Sequence, residues 1–587
     1  MMKRMAGLIF VLLMVFVSAC GNNGGNNTSN ETTGNNTAAS GNNAAATTDN
    51  AAATNDAAAE TETVAPADPF GKYPELVEFT TIRPTMNNPK FPEGESYEDN
   101  VFNKFMEEKL NVKPKFVWMA PQDGDAYKKK LDLSIGGNDI PDVFQIVGKN
   151  ITEVQATVKR LVEADMIEDL TSAYDKYASP AIKEAFASAD NRGLDLYKID
   201  GKLYGMPGQS ALEGMNFVWV RDDWRKKLNL PEPKTLEDVE AIAKAFKDSD
   251  PAGKGTTVPL AMQMQTETDG LFGPGFIFDQ FDAYPRLFYK DASGSVVYGG
   301  IQPQIKDSLK VIADLYKNGE IEKDFALKDT GQLQELLASG RAGIVGQAWW
   351  GVWYPLFMTL QNVPDADWKP YAIPAKNGKL NMGATNTSNT VLVVKKGFKY
   401  PELPIKWLNV YNANRDTEWW VKTSQDKYKD ANEKATIWSG ISIMRTDDIV
   451  NQAKDIVAAV NGEKDPATLP FKNNDAFTNI KKFIDELQSQ PQAASKNLLQ
   501  WQNTRSWYDA MGSAAKLESN VVYSAFDGTT PTMEKKLTAL NELQMKAYHK
   551  IIMGKADADQ EFDQFVSDWK AQGGDDILKE INEALSK

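Results

Sequence analysis

The sequence predicts an α/β fold, and three observations carry that reading. Strand-like and helix-like hydrophobic periods alternate from residue 76 onward. Composition is that of a globular protein, 42% apolar and 25% charged over 587 residues. Beyond the N-terminal leader no apolar run approaches the roughly 18 residues that would span a bilayer.

The elements follow in order. Residues 76–82 alternate like a strand, and residues 97–110 carry a helical period. Residues 112–118 read as the next strand. Residues 127–135 are helical and stop at Gly136-Gly137, after which Pro141-Asp142-Val143-Phe144 opens another strand. Such alternation predicts a parallel sheet covered on both faces, with ligands bound beyond the carboxyl ends of its strands. The loops at Ile82-Arg83-Pro84 and Gln145-Ile146-Val147 are the first places to look.

Composition excludes several functions. There are 65 basic and 80 acidic residues, for a net charge of −15, and no concentrated basic cluster, so a nucleic-acid partner is not expected. One Cys and one His, Cys20 and His549, exclude a Cys/His zinc site and an internal disulfide. A Ser-His-Asp or Cys-His nucleophile would need His549 itself as the base.

The N-terminus is the most informative stretch. Lys3 and Arg4 precede an apolar run over residues 5–17, and then Ser18-Ala19-Cys20-Gly21. The run rises only about 20 Å as a helix, short of a bilayer core of about 30 Å, and reads as a secretory signal over residues 1–19. Val17-Ser18-Ala19-Cys20 resembles the lipobox of bacterial lipoproteins, which implies a diacylglyceryl group on Cys20 and a membrane anchor. Residues 20–69 continue as a tether of Asn, Thr, Ala and Gly. They hold six acids (Glu31, Asp49, Asp56, Glu60, Glu62, Asp68), no base, and Val64 as the one large aliphatic side chain before Pro69. Nothing there offsets ordering entropy, and its reach as a loose chain is roughly 40 Å.

Further motifs carry a resemblance to a known family. Residues 135–144, Ile-Gly-Gly-Asn-Asp-Ile-Pro-Asp-Val-Phe, are similar to the "G-x-x-P-D-V/I" element of family 1 extracellular solute-binding proteins. Residues 199–207 resemble the family's "DGKLYGLP" segment, and residues 217–224 the "W-x-R-x-D-W" of its large lipoprotein branch. Thr235-Leu236-Glu237-Asp238 resembles the "T-x-x-E/D" helix start, a capping signal in its own right. Ser339-Gly340-Arg341-Ala342-Gly343 resembles the "G-K/R-A/V-G" turn before a strand, and Ile551-Ile552-Met553-Gly554 and Gly573-Gly574 the closing helices. The matches run in order from about residue 76 to residue 582.

The resemblance implies a two-lobed periplasmic-binding-protein-like fold with hinge-crossing segments and a ligand cleft between the lobes. One lobe would be 70–207 plus 385–470, the other 208–384 plus 471–587. Members are receptors of carbohydrate ABC importers and distant relatives of maltose-binding and alginate-binding proteins. This implies an oligosaccharide ligand, permease subunits as partners, a monomeric chain and a place on the outer face of the cell membrane. One departure concerns calcium. Larger relatives often carry a "D-x-D-G-N-G-K-x-D" loop, where this chain has Asp248-Ser249-Asp250-Pro251-Ala252-Gly253-Lys254-Gly255-Thr256-Thr257. Ala252, Lys254 and Thr256 stand where oxygen ligands are expected, so the loop reads as degenerate and no cofactor is expected.

A sugar is held by flat aromatics against its C–H faces and by amides, carboxylates and guanidinium groups on its hydroxyls. The densest candidates are Trp349, Trp350 and Trp353, which one helical turn after the strand-like residues 342–346 would group. The resemblance places a stacking aromatic there, although core anchoring is the ordinary role of such side chains. Gln145 follows the Pro-Asp-Val-Phe strand, and Gln209 and Glu213 follow the expected hinge at Pro207. Asp279 and Asp282 lie in an aromatic-rich loop. Asn386 and Asn389 mark the second crossing, where turn formation is the plain alternative. Trp438, Trp501, Arg505 and Trp507 add aromatic and guanidinium groups whose plain alternative is core packing. Trp219 and Trp224 read as structural, and His549 as a surface or interface residue.

The expected function is therefore a lipid-anchored, non-enzymatic receptor that captures an oligosaccharide by lobe closure and delivers it to an ABC permease. The body's charge of about −11 argues against a polyanionic ligand. The alternatives are a polysaccharide-displaying lipoprotein without a transporter, or a glycoside hydrolase. The latter needs two carboxylates about 5–10 Å apart, and no strand-end acid/base signature stands out.

Overall fold

Polar side chains at the ends of periodic segments decide where helices begin. Asn100 accepts from the backbone N–H groups of Phe102 and Asn103, and the helix starts there rather than at residue 97. Thr235 accepts from the Asp238 N–H at 3.2 Å while the Asp238 carboxylate accepts from the Thr235 N–H at 3.1 Å, the reciprocal cap expected from the sequence.

The computed structural model describes residues 67–85, 90–121, 125–148, 150–212, 214–264, 272–385, 389–428 and 441–585. Cys20, nearly all of the tether, Glu213, Asn386 and Trp438 lie outside them. Chain contacts separate Met1–Asp68 from Pro69–Lys587, and the account here concerns the second unit. No helix among the described residues is long and apolar enough to cross a membrane.

From the start of this unit run β1 (Val77–Thr85), α1 (Val101–Leu110), β2 (Val112–Pro121), α2 (Ala126–Gly136), β3 (Val143–Val147), α3 (Ile151–Glu163) and the short β4 (Met206–Pro207). The chain continues through β5 (Phe217–Arg221), α4 (Leu236–Ser249), β6 (Val258–Leu260), α5 (Gly275–Gln280), β7 (Ala342–Gln347), β8 (Trp368–Tyr371) and β9 (Leu380–Ala384). It returns as β10 (Thr390–Val394) and α6 (Glu418–Lys427), and ends through α7 (Asp448–Val460), β11 (Ser519–Tyr523) and α8 (Pro531–Ile552).

The expected all-parallel sheet is corrected by the strand pairing. β1 and β2 are parallel, but β3 pairs antiparallel with β10, which also pairs with β4. The chain leaves for some 240 residues and comes back into the sheet reversed, so β10 enters between β3 and β4. β1 is clipped to β3 by a side chain: the Asp142 carboxylate accepts from the Thr80 N–H at 2.7 Å and from its hydroxyl at 2.6 Å. The second sheet runs in the order β8, β5, β7, β6, and β9 pairs in parallel with β11. Gly340 begins the turn into β7 at φ 73°, where a Cβ would sit 2.4 Å from the Val363 side chain.

Burial gathers these elements into separate cores. The first draws on Tyr73 to Met206 and on Val391 to Ile443, so the return at β10 completes it. The second combines Val218 to Ile373 with Met533 to Ile581. The third joins Ala211 to Met382 with Ile449 to Ala514. The first core is thus linked to the other two by the segments near 207–212, 384–390 and 443–449. Two of these run side by side, with Gln209 N–H to the Ser442 carbonyl at 3.0 Å, Met444 N–H to the Gln209 carbonyl at 2.8 Å and Leu212 N–H to the Thr446 carbonyl at 2.8 Å. Away from these segments the cores touch where Arg192 lies 4.7 Å over the Tyr523 ring and where Thr152 and Thr529 share a hydroxyl contact at 3.0 Å.

Candidate functional site

β7 ends on a buried glutamine, and the chain then turns sharply through residues 348–356. The Gln347 side-chain oxygen accepts the Ala348 N–H at 2.7 Å, and the Ala348 carbonyl accepts the Trp219 indole N–H at 3.1 Å. Gly351 N–H to Ala348, Trp353 N–H to Trp350 and Leu356 N–H to Gly351 follow as successive turns. The helical turn expected to group Trp349, Trp350 and Trp353 on one face is therefore a run of turns that separates them.

Trp349 is only 1% exposed and lies 4.7 Å from the Trp507 ring in the third core, which leaves no face for a ligand. This corrects its expected stacking role: an apolar ring at a strand end is drawn under the helix that follows in space. Trp353 is half-buried and donates its indole N–H to the Ser506 hydroxyl at 3.0 Å. Trp350 is half-buried against the same core.

Arg505 is likewise taken up by the fold. Its guanidinium meets the Asp367 carboxylate at 2.6 and 3.2 Å and Asp509 at 2.6 Å, and Asp367 also accepts the Trp501 indole N–H at 2.8 Å. With every strong acceptor internal, Arg505 locks a π-helical stretch, Thr504–Met511, onto the start of β8. Gln209 donates its amide to the carbonyls of Ala185 at 2.5 Å and Met444 at 2.8 Å, tying the two crossing segments to the first core. Asn389 donates to the Gly148 carbonyl at 3.0 Å, a turn-anchoring bond at the end of β3. Gln145 sits half-buried on β3, its backbone carbonyl accepting from the Tyr127 hydroxyl at 2.6 Å. Trp219 is fully buried and Trp224 nearly so, and His549 bonds the Met264 carbonyl at 2.8 Å.

Asp279 is the centre of a polar network close to the crossing segments. The Asn216 amide donates to its carboxylate at 2.8 Å, and the Asn381 amide donates to its backbone carbonyl at 2.9 Å. Asn520 on β11 donates to Asn381 at 3.0 Å and to Asp282 at 3.2 Å, and the Tyr284 hydroxyl also bonds Asp282. Burial pushes the Asp279 carboxyl up to about 8; the Asn216 bond opposes this, and the charge of Asp282 adds to it. At neutral pH the group is therefore mostly a neutral acid with a proton to donate. Beside it is a cavity of about 10 Å³, lined by apolar Phe217, Phe276 and Ile373 and by polar Asn216, Asp279, Gln280 and Asn381. That is room for about one water.

Sequence reasoning found Asp279 and Asp282 but missed Asn216, Asn381 and Asn520. Asn216 immediately precedes β5, and Asn381 and Asn520 are the second residues of β9 and β11, with no motif in the sequence to mark them. The structure thus places the predicted residues in separate settings: Trp349, Trp353 and Arg505 around the third core, Asp279 beside β9, Gln209 at the crossing and Gln145 in the first core.

The calcium-like loop has its oxygens occupied from within. Asp250 accepts from the Gly255 N–H at 2.6 Å and from the Thr257 N–H and hydroxyl at 3.1 and 2.7 Å, while Asp248 pairs with Lys244 at 2.5 Å. Among the described residues no group of three or more His, Cys, Asp or Glu converges on a point. Two acids facing N–H, hydroxyl and ammonium groups do not fit an ion that takes six to eight oxygens.

Residues 100–433 match the family model described as bacterial extracellular solute-binding protein. The polygalacturonan/rhamnogalacturonan-binding protein YtcQ of Bacillus subtilis is 34% identical over 148 residues, 25% of this chain and 28% of that one. The fructooligosaccharide ABC transporter substrate-binding protein FusA of Streptococcus pneumoniae is 28% identical over 218 residues, covering 35% and 39% of the two chains. The matched stretches thus span well under half the length of either relative. A solved HMO-binding, ABC-transporter-associated solute-binding protein from Bifidobacterium longum infantis aligns over 86% of this chain and 98% of its own, with a TM-score of 0.51 at 14% identity. That likeness establishes the periplasmic-binding-protein-like fold.

Proposed function

The chain belongs to the bacterial extracellular solute-binding proteins, and from that premise we propose that it captures an oligosaccharide between two lobes and delivers it to the permease of an ABC importer. The observation that carries this reading is the pair of core systems joined by crossing segments, with Gln209, Met444 and Leu212 bonded side by side between them. Such a connection lets one body swing against the other, and a ligand closes them only through contacts that are better in the closed form. The cores support lobes of 70–207 plus 385 to about 445, and 208–384 plus the remainder. A second boundary near 445 rather than 470 is supported by Ile449 and Ala453, which pack in the third core.

The ligand side chains in this reading are Trp350 and Trp353 for stacking, and Asp279 and Gln145 for hydroxyls. The family comprises binding proteins, and the chain acts here as a receptor without chemistry on its ligand. The diacylglyceryl anchor at Cys20 holds it on the outer face of the membrane, in keeping with the lipobox and tether of the sequence.

The test is a thermal-shift screen of neutral and acidic oligosaccharides on the chain lacking residues 1–20. A sugar present at about 100 times its dissociation constant stabilises by about 2.7 kcal/mol. The melting point should rise, the sugar should be recovered intact, and Trp350→Ala should abolish the shift. No response to any sugar, or recovery of cleaved products, would overturn the receptor reading. We also propose that the Asp248–Thr257 loop works without calcium. A chelator should leave the melting point of the free chain unchanged, whereas a fall that added calcium reverses would show a site.

A further inference from the structure

Trp419 is the one strongly exposed tryptophan among the described residues, with 42% of its surface open to solvent. Its ring is nevertheless held in place. It stacks at 4.6 Å and 20° on Phe105 of α1 and is met edge-on by Phe102 and Trp420. Over it opens a groove of about 570 Å³, whose other walls are Val101, Thr423, two acids (Glu418 and Asp426) and two bases (Lys422 and Lys427). The groove lies on α6, which packs on the first core and also meets residues 471–482, with Lys422 5.5 Å over the Phe471 ring. It shares no residue with the crossing segments or with the ligand side chains proposed above.

Its chemistry selects the occupant. Only Trp419 and Val101 are apolar, far less than the core of a protein–protein interface, which buries roughly 800 Å² per partner. The charges balance, so neither a polyanion nor a polycation is drawn in. Both lysines are already met by carboxylates, Lys422 by Glu418 at 2.5 Å and Lys427 by Glu95. A flat, pre-ordered ring beside a hydroxyl and a carboxylate remains, which suits the apolar face and the hydroxyls of a sugar. A ring fixed before binding loses little freedom on binding. We propose that this groove is a second, shallow carbohydrate site that takes a stretch of neutral glycan along α6. The proposal does not rest on the cleft reading, because its residues and its test are separate.

The experiment uses the full chain in detergent on native gels cast with inulin, xylan or β-glucan, together with iodide quenching of tryptophan fluorescence. At least one polymer should retard the chain and shield part of its fluorescence. Trp419→Ala should weaken that retardation about tenfold, the loss of one stacking contact. Because Trp419 also packs on Phe105, the exposed Asp426→Lys provides a second variant that leaves the aromatic packing intact and should weaken retention as well. The oligosaccharide thermal shift should be unchanged in both. The proposal fails if no polymer retards the wild-type chain, or if both variants are retarded like wild type. It fails equally if they lose transport in a reconstituted importer while keeping full retention, since the groove would then dock protein.

Discussion

Arg505→Ala is expected to destabilise the folded body by about 3 kcal/mol, because it strands the half-buried Asp367 carboxylate. Asp367 takes two guanidinium contacts and the Trp501 indole N–H, and its own backbone N–H donates to Asp223 at 3.2 Å. The side chains of Arg505 and Asp367 are 12% and 22% exposed, so water can replace little of what is lost. Asp367→Ala should cost a similar amount, leaving the guanidinium with Asp509 alone. The pair Arg505→Met with Asp367→Leu should cost clearly less than the sum of the single changes, since no charge is then left buried. Urea unfolding of the four proteins without ligand measures all of this. The result also decides between the two roles considered for Arg505. A ligand-binding arginine would leave the free chain's midpoint in place, whereas a structural one moves it whether or not sugar is present.

The local rules of the sequence were legible where a single segment satisfies them. The Thr235–Asp238 cap, the stop after α2 and the strand entered through Pro141 and Asp142 each depend on neighbours within a few residues. The partner of β3 was not legible, because Val391 and Val393 announce a strand but not its direction or its place 240 residues away. Alternating strands and helices suggested a parallel sheet; the return of the chain through the hinge made the central strand antiparallel. Asp142 gives its motif a structural role, joining β1 to β3 through side-chain bonds where the two strands form no ladder.

The candidate site was less legible for a related reason. Three tryptophans at spacings of three and four fit a helical face, but the same spacing fits successive turns in which one ring faces inward. Only the packing of Trp507 on Trp349 decides which, and that contact spans about 160 residues. Arg505 and Gln209 looked available in sequence because their acceptors, Asp367 and the Ala185 and Met444 carbonyls, are remote in the chain. Asn216, Asn381 and Asn520 carry no motif and acquire meaning only when three strands bring them around Asp279.

Asp279 makes stability fall with rising pH. Its folded carboxyl titrates at about 8, above the ordinary carboxylate value, because burial disfavours the ion and Asp282 repels it. The folded state therefore holds a proton that the unfolded state releases near pH 4. The stabilisation is complete below that value and is lost as pH rises through about 8, beyond which the contribution is flat. One such proton gives a slope of up to about 1.4 kcal/mol per pH unit. Asp279→Asn keeps an acceptor for the Asn216 amide and removes the titration, so its stability relative to wild type should grow by about 3 kcal/mol between pH 5 and pH 8. Denaturant melts at intervals across that range measure the difference. If the wild-type and Asn curves run parallel, the carboxyl is ionised throughout and the network around it is open to water. If they diverge as expected, the same neutral acid is available to donate its proton to a bound hydroxyl. Sugar affinity should then weaken above pH 8 in the wild-type chain, while in the Asn variant it stays independent of pH.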